Sequence, residues 1–154
     1  IIGFDTFEGF SGVSDKDGMG SSEHLKVGGF DAGASAHEEL LDALEIYNLN
    51  RLMGHINKCD IVKGDACTKI PEFLEQNPHL LVSLLHLDAD LHDPTAVALE
   101  HFVPRMPKGA IILFDELNMD LFPGETLALL DRFDINQKQI ERFPYATSMS
   151  YLTI

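Results

Sequence analysis

The chain has 154 residues, of which 45% are hydrophobic and 23% are charged, a composition typical of one globular domain, residues 1–154, with a sizeable core. Asp and Glu number 25 against 11 Lys and Arg, which gives a formal net charge of −14. Because such a charge repels phosphate backbones and anionic lipid surfaces, it argues against a partner that is a nucleic acid or a membrane.

Nothing in the sequence indicates membrane insertion or export. No apolar run approaches the roughly 18 residues of a membrane span, and the first residues lack the basic-then-apolar layout of a signal peptide. Cys59 and Cys67 show neither metal-ligand spacing nor the density of a disulfide framework. These features predict a soluble, cytoplasmic protein.

The first half of the chain is predicted to alternate strands and helices. Ile1 to Phe4 predicts a short strand, and the Gly-, Ser- and Asp-rich stretch from Gly9 to Gly33 predicts a long loop of the kind that serves as a lid. SAHEELLDALEIYNL predicts a helix in which Ser35 and Glu38 form a capping box. A strand in CDIVKGDA and a short helix from Thr68 to Gln76 follow.

The second half repeats the alternation. LLVSLLHLD is so continuously apolar that we expect a strand without a solvated face. Asp93 and Pro94 predict the N-cap and first turn of a helix that runs to about Arg105. GAIILFDEL predicts a second buried strand, Gly124 to Phe133 a further helix, and QIERF with MSYLTI a final antiparallel pair.

Acidic residues follow four successive predicted strands. The alternating order predicts an α/β fold with a mostly parallel sheet that helices cover on both faces. Ligands of such sheets bind beyond the carboxyl ends of the strands. The side chains predicted there are those of Asp5, Asp65, Asp88, Asp90, Asp115 and Glu116.

The acids after the last two of these strands favour a metal site. Carboxylates a few ångströms apart repel one another, and a divalent cation such as Mg²⁺, which prefers oxygen ligands, removes that repulsion. The alternative is that each acid caps a helix or pairs with Arg105 or Lys108. Asp5 and Asp65 are open to two interpretations: they bind the hydroxyls or amino group of a nucleotide-like ligand, or they are ordinary turn residues.

Several of these stretches together resemble a known family. GFDTFEGF, VKGDA, HLDADLHDPTAVALEHFVPRMPKGAIILFDE and the closing hairpin resemble the TylF-type (macrocin) O-methyltransferases, a branch of the class I S-adenosylmethionine-dependent methyltransferases with a Rossmann-like sheet. The resemblance spans essentially the whole chain. It implies transfer of a methyl group to a hydroxyl of a sugar or another small natural product.

The resemblance assigns residues to the methyl donor, S-adenosylmethionine. Asp5 would hold the ribose hydroxyls, and Asp65 with Ala66 would face the adenine. His86 is assigned to the same cofactor site, although a hydrogen bond in the core is an alternative for this side chain. At His92 the resemblance leads us to expect a Tyr.

The resemblance also assigns the chemistry of methyl transfer. Asp88, Asp115 and Glu116 would bind Mg²⁺, and Asp88 would take the proton from the acceptor hydroxyl. For Asp90 the prediction depends on the backbone, because it lies on the same side as Asp88 only if the strand stays extended past Ala89.

One part of the family pattern has no counterpart in this sequence. In the family, a first strand and its Gly-rich turn precede the segment that begins here at Ile1. We therefore expect the chain to correspond to the carboxyl-terminal two-thirds of the full fold. The sheet would lack the strand between those ending in Asp5 and Asp88, and an open strand edge of this kind favours association into a homo-oligomer or with a partner chain.

Three other functions fit part of the pattern. A nucleotide-sugar transferase also uses a DxD after a strand, which Asp88-Ala89-Asp90 matches. A phosphatase of the dehalogenase type uses the first Asp of such a motif as its nucleophile. Neither accounts for Asp5, Asp65 and the FDE strand, and a non-catalytic remnant or binding module is the third alternative.

Overall fold

Strands and helices alternate along the chain in the predicted order. The computed structural model describes residues 1–154, apart from the side chain of Met19. The main elements are β1 (Ile2–Asp5), α1 (Ala36–Asn50), β2 (Asp60–Lys63), α2 (Ala66–Gln76), β3 (Leu84–Leu87), α3 (His92–Phe102), β4 (Ile111–Phe114), α4 (Gly124–Arg132), β5 (Ile140–Arg142) and β6 (Ser150–Thr153). In this described part of the chain, none of the helices has the length and apolar character needed to cross a membrane.

The strands form two separate sheets. β1 and β2 pair in parallel, and the second sheet has the order β3-β4-β6-β5, in which β3 and β4 are parallel and β6 is antiparallel to both of its neighbours. The predicted parallel strands and closing antiparallel pair are therefore confirmed. The break falls between β1 and β3, the place where the resemblance predicts a missing strand.

Side chains, rather than backbone hydrogen bonds, connect the two sheets. The ring of Phe4 on β1 packs edge-on against Phe73 of α2, with centroids 5.5 Å apart. Its centroid also lies 6.0 Å from that of Phe102 on α3. Aromatic pairs in this distance range contribute about 1 kcal/mol beyond their burial, so Phe4 is a main point of attachment for β1.

Helices cover only one face of the larger sheet. Leu85 and Leu87 of β3 and Ile112 and Phe114 of β4 are buried in one cluster with residues of α2, α3 and α4. On the other face, Leu84 keeps 58% of its surface exposed. The predicted coverage of both faces, and the predicted absence of a solvated face in β3, are wrong because no described helix buries that second face.

Helix α1 also differs from its prediction. Ser35 is the N-cap residue, but its hydroxyl donates to the carboxylate of Glu39 over 2.6 Å and makes no hydrogen bond to the helix backbone. The predicted capping box between Ser35 and Glu38 is therefore wrong. The helix has no buried residue, and Leu41, for example, is 44% exposed.

Helix α3 is capped by a residue from a distant part of the chain. It begins at His92, one residue before the predicted N-cap Asp93, and its N-cap residue Leu91 has no capping side chain. The backbone N–H of His92 donates instead to Oδ1 of Asp17 over 2.8 Å. Asp93 lies in the first turn together with Pro94, so only the predicted place of the proline is confirmed.

Candidate functional site

The carboxyl ends of β1, β2 and β3 surround one cavity of about 360 Å³, which is within the range of roughly 300–1,000 Å³ found for small-molecule sites. Asp90 and four residues to which the resemblance assigns a role line it together. The four are Asp5 after β1, Asp65 and Ala66 after β2, and Asp88 after β3. These residues thus lie around one cavity at the predicted edge of the sheet, and their roles stay a prediction.

A tight turn fixes the carboxylate of Asp5. Oδ1 accepts a hydrogen bond of 2.6 Å from the backbone N–H of Phe7, a residue with a positive φ of 60°. The hydroxyl of Thr6 donates to the carbonyl of Gly9 over 2.5 Å and closes the turn. Because the turn is held by its own hydrogen bonds, the carboxylate keeps a fixed place at the end of β1.

Asp65 occupies a position that is compatible with both interpretations that the sequence left open. It is the N-cap of α2, where its side chain accepts a hydrogen bond of 3.2 Å from the N–H of Cys67. The same oxygen accepts one of 3.2 Å from the hydroxyl of Ser11. Burial, reinforced by the charge of Asp65, raises the pKa of the Cys67 thiol to about 11. Asp65 is thus both a capping residue and part of the cavity wall.

Four acids interact electrostatically where β3 and β4 end; we call Asp88, Asp90, Asp115 and Glu116 the acid cluster. Burial raises the pKa of Asp90, of Asp115 and of Glu116, and the charge of Asp88 adds to each shift. The pKa of Glu116 reaches about 7, and after burial the charge of Asp90 is the largest cause. The four acids are therefore close enough for their charges to influence one another.

The backbone turns directly after Asp88. Asp90 has a φ of 59°, and the N–H of Leu91 bonds to the carbonyl of Ala89 over 2.6 Å. The strand does not stay extended past Ala89, so alternation along a strand does not place Asp90. Burial raises the pKa of Asp90 by more than the interaction with the carboxyl group of Glu116 lowers it.

The negative charge of the acid cluster suits a cation, but the present arrangement of its side chains does not. Among the residues that the structure describes, no group of three or more His, Cys, Asp and Glu side chains is placed to hold a metal ion. Oε2 of Glu116 is nevertheless buried without a hydrogen-bond partner, which is costly for an oxygen of this kind. The predicted Mg²⁺ ligands Asp88, Asp115 and Glu116 stay a prediction.

Glu125 supports the acid cluster and was not predicted from the sequence. This first-turn residue of α4 is fully buried, and its Oε2 accepts a hydrogen bond of 3.2 Å from the N–H of Glu116. Burial raises its pKa to about 8. A Glu in the first turn of a helix is ordinarily a solvated residue, so its sequence position carries no signal of this role.

The predicted lid covers one side of the cavity. We call residues 9–33 the lid segment; Phe10, Ser11 and Phe30 from it line the cavity. The N–H of Phe10 bonds to the carbonyl of Gly29 over 3.0 Å, and the N–H of Gly28 to the carbonyl of Phe10 over 2.9 Å. These bonds join the two ends of the segment, so it is a folded loop and its aromatic residues face the cavity.

The two histidines beside the acids have different surroundings. His86 does not line the cavity, and it shares the exposed face of β3 with Leu84. It lies on the side of the strand opposite Leu85 and Leu87, and the alternative of a core hydrogen bond is wrong because its ring is exposed. Its assignment to the cofactor stays a prediction. His92 is 7% exposed, and its Nδ1 lies 2.8 Å from a carboxylate oxygen of Asp93.

Solved structures of methyltransferases share this fold. The crystal structure of the calicheamicin methyltransferase CalS11 superposes with a TM-score of 0.92 at 31% identity over 99% of this chain and 59% of the other. The apo structure of CalS11, described as a TDP-rhamnose 3'-O-methyltransferase of calicheamicin biosynthesis, gives a TM-score of 0.77 at 28% identity, with 99% and 58% covered. The O-methyltransferase NovP gives 0.62 at 16% identity over 99% and 58%, which supports the fold alone.

Other comparisons add no further relatives. No family model matches the sequence, and no curated protein matches it. The chain spans slightly less than three-fifths of the length of the solved structures to which it is similar. The superpositions on CalS11 confirm the predicted resemblance to O-methyltransferases and the predicted α/β methyltransferase sheet.

Proposed function

We propose that the cavity binds S-adenosylmethionine beside a hydroxyl acceptor, as part of an O-methyltransferase that acts on a sugar, because the chain shares its fold with the methyltransferase CalS11. The observation that carries this proposal is the single cavity that Asp5, Asp65 and Asp88 share at the carboxyl ends of three parallel strands. Ligands of open parallel sheets bind at this edge. The similarity to CalS11, which is described as methylating TDP-rhamnose, supports the class of acceptor.

The side of the cavity formed by β1 and β2 suits the nucleoside part of the donor. The carboxylate of Asp5 is fixed by its own turn and accepts hydrogen bonds from ribose hydroxyls, a pairing that ionised acceptors make strong. Asp65 and Ala66 face the adenine, where an acceptor oxygen beside an apolar surface suits an amino group on a flat ring. Phe10 and Phe30 from the lid segment add apolar wall to the same cavity.

The side formed by β3 suits the acceptor. Methyl transfer forms a carbon–oxygen bond and breaks the carbon–sulfur bond of the sulfonium, so the acceptor must lose its proton as it attacks. A neutral hydroxyl is a weak nucleophile, and a positioned base accelerates the step by about 10²–10⁴-fold. Asp88 lines the cavity as an exposed carboxylate at the end of β3 and takes that proton in our proposal.

The acid cluster is the place where Mg²⁺ would assist. Asp88, Asp115 and Glu116 would hold the ion, since burial and mutual repulsion raise the pKa of Asp115 and of Glu116 and an oxygen of Glu116 lacks a partner. When bound, the ion supplies positive charge that lowers the pKa of the acceptor hydroxyl. The four carboxyl groups also repel one another less in its presence.

Isothermal calorimetry with S-adenosylhomocysteine, the product of the donor, tests the proposal. We expect binding that Asp5→Asn weakens about ten-fold, because a charge-assisted hydrogen bond becomes a neutral one. Asp60→Asn is the matched control, since Asp60 begins β2 at the opposite end of the sheet and should leave the affinity unchanged.

A nucleotide sugar without a methyl donor serves as the second ligand in the same experiment. Binding of the nucleotide sugar alone, with none of S-adenosylhomocysteine, would replace our proposal with the nucleotide-sugar transferase. Binding of neither compound would favour a remnant that has kept the acids without the activity.

A further inference from the structure

One carboxylate of the lid segment is buried away from the cavity. Asp17 is 1% exposed, although neighbouring Asp15 and Lys16 are exposed. Burying an ionised carboxylate is costly unless several donors surround it. A buried Asp within an otherwise exposed loop therefore indicates a specific attachment.

The donors around Asp17 come from the lid segment itself and from a distant part of the chain. Its Oδ2 accepts hydrogen bonds from the N–H and the hydroxyl of Ser14, at 3.0 and 2.6 Å. Its Oδ1 accepts the 2.8 Å bond from the N–H of His92. His92 begins α3, where unpaired N–H groups favour a negative charge, and Leu91 supplies no cap. Asp17 thus satisfies a helix end that the sequence next to α3 leaves unsatisfied.

Helix α4 approaches so closely that the attachment has no spare room. A Cβ added to Gly124, the first residue of α4, would lie 2.3 Å from Oδ1 of Asp17 and 2.3 Å from the nitrogen of His92. The absence of a side chain at Gly124 lets α4 close over the pair. Outside this contact, Lys16 forms an ion pair with Asp131 of α4, and its Nζ lies 3.0 Å from Nε2 of His92.

Both of the elements that the attachment joins, the lid segment and the start of α3, also line the cavity. Leu91 and Pro94, which flank the first residues of α3, line the cavity, and so do Phe10 and Phe30 of the lid segment. The N–H of Ser21 also bonds to the carbonyl of Asp120 over 3.2 Å. Releasing Asp17 would therefore remove the buried attachment between the lid segment and the start of α3, next to the ligand site.

We propose that Asp17 is a positioning residue, whose hydrogen bond to the N–H of His92 holds the lid segment over the cavity and so sets the affinity for the methyl donor. The inference rests on the function proposed above. In this inference the attachment opens for exchange of the donor and closes on the bound ligand. An open lid segment loses the contacts of Phe10 and Phe30 with the ligand.

Tryptic cleavage of the lid segment measures its opening without any ligand. Lys26 lies within it, and hydrogen bonds of its own backbone and neighbours hold it in place, so cleavage there reports the open fraction. We expect Asp17→Ala to speed cleavage after Lys26 about ten-fold, because it removes a charge-assisted network. Asp17→Asn keeps one acceptor oxygen for the N–H of His92. Its rate of cleavage after Lys26 should therefore lie between that of the unaltered chain and that of Asp17→Ala.

Three controls separate this role from a general loss of stability. Asp15→Ala alters an exposed acid in the same loop and should leave cleavage unchanged. Ser14→Ala removes one donor to Asp17 from a partly exposed position and should speed cleavage to a smaller extent, in a variant that folds normally. Cleavage after Arg132 at the end of α4 reports global unfolding and should stay slow in all variants.

The ligand arm of the experiment uses S-adenosylhomocysteine. We expect Asp17→Ala to weaken its binding about ten-fold and saturating ligand to restore slow cleavage after Lys26, because binding to the closed form shifts the equilibrium. Unchanged cleavage after Lys26, or equal acceleration after Arg132, overturns the inference. Faster cleavage with unchanged affinity overturns it as well. Absence of binding by the unaltered chain refutes the proposed function, while the cleavage rates still test the attachment.

Discussion

The backbone N–H of Glu116 donates a hydrogen bond of 3.2 Å to the carboxyl group of Glu125, a side chain with no exposed surface. Glu116 follows β4 and Glu125 lies in the first turn of α4, so this bond fixes the loop that presents one of the predicted metal ligands. Burial raises the pKa of Glu125 to about 8, which makes the neutral acid the main form at pH 7.

Glu125→Gln should therefore be tolerated, whereas Glu125→Leu should lower the free energy of unfolding by about 1–3 kcal/mol. The amide keeps an acceptor for the N–H of Glu116, while Leu leaves that buried donor unpaired. Chemical denaturation of both variants at pH 7 measures the difference. Glu100→Gln, at an exposed position of α3, is the control, and equal stability of the Gln and Leu variants would show that the bond contributes nothing.

Mg²⁺ should raise the melting temperature of the chain, and Asp115→Asn should abolish most of that increase. The reason is the repulsion within the acid cluster, where burial and the charge of Asp88 raise the pKa of Asp115. Thermal unfolding with and without Mg²⁺ provides the measurement. Asp120→Asn, an exposed acid of the same loop, should keep the full increase, and an unchanged increase in Asp115→Asn would count against this metal site.

Cys67 should react slowly with iodoacetamide at pH 8, in a Cys59→Ser background that leaves it as the only cysteine. With a pKa raised to about 11 by burial and by Asp65, on the order of one thiol in a thousand is ionised at that pH, and the thiolate is the reactive form. Asp65→Asn should accelerate the reaction because it removes a nearby negative charge.

The pH dependence of alkylation is the most direct readout for Cys67, since the rate should still be rising at pH 10. Asp93→Asn is a graded comparison, because the charge of Asp93 contributes less to the same pKa shift than that of Asp65. A rate that levels off near pH 8.5 would contradict the raised pKa.

Gly124→Ala should lower the free energy of unfolding by about 1–3 kcal/mol, the usual cost of inserting a methyl group into a closely packed contact. The new Cβ would overlap both Asp17 and the nitrogen of His92. Gly12→Ala in the lid segment, where an added Cβ meets nothing within 4 Å, should change stability by no more than about 0.5 kcal/mol. Equal effects of the two substitutions would mean that α4 shifts without cost.

The strands and the site edge were predictable from the sequence because their signals are local. Apolar runs that end in Asp, such as the one ending at Asp88, mark both a buried strand and its carboxyl end. The resemblance to O-methyltransferases added roles for Asp5 and Asp65 that the residues alone left open. The structure brings both into the cavity.

Features that depend on partners far along the chain were not predictable in the same way. The spacing of Leu40, Leu41 and Leu44 indicates an amphipathic helix whether or not another element covers it, and α1 has no buried residue. Asp17 lies 75 residues from the helix end that it caps, and nothing near it in the sequence points to α3. Glu125 lies at the site only because α4 packs against the loop that follows β4.

The interrupted sheet also determines how the molecule should open. No backbone ladder joins β1 to β3 in the described chain, so β1 and β2 can separate from the rest by breaking side-chain contacts such as that of Phe4 with Phe102. Segments that open independently exchange their amide hydrogens at their own rates. Amides of β1 and β2 should therefore exchange sooner than those of β4, which is paired on both sides. A ligand that touches both Asp5 and Asp88 would couple the two units and slow the exchange of the first to that of the second.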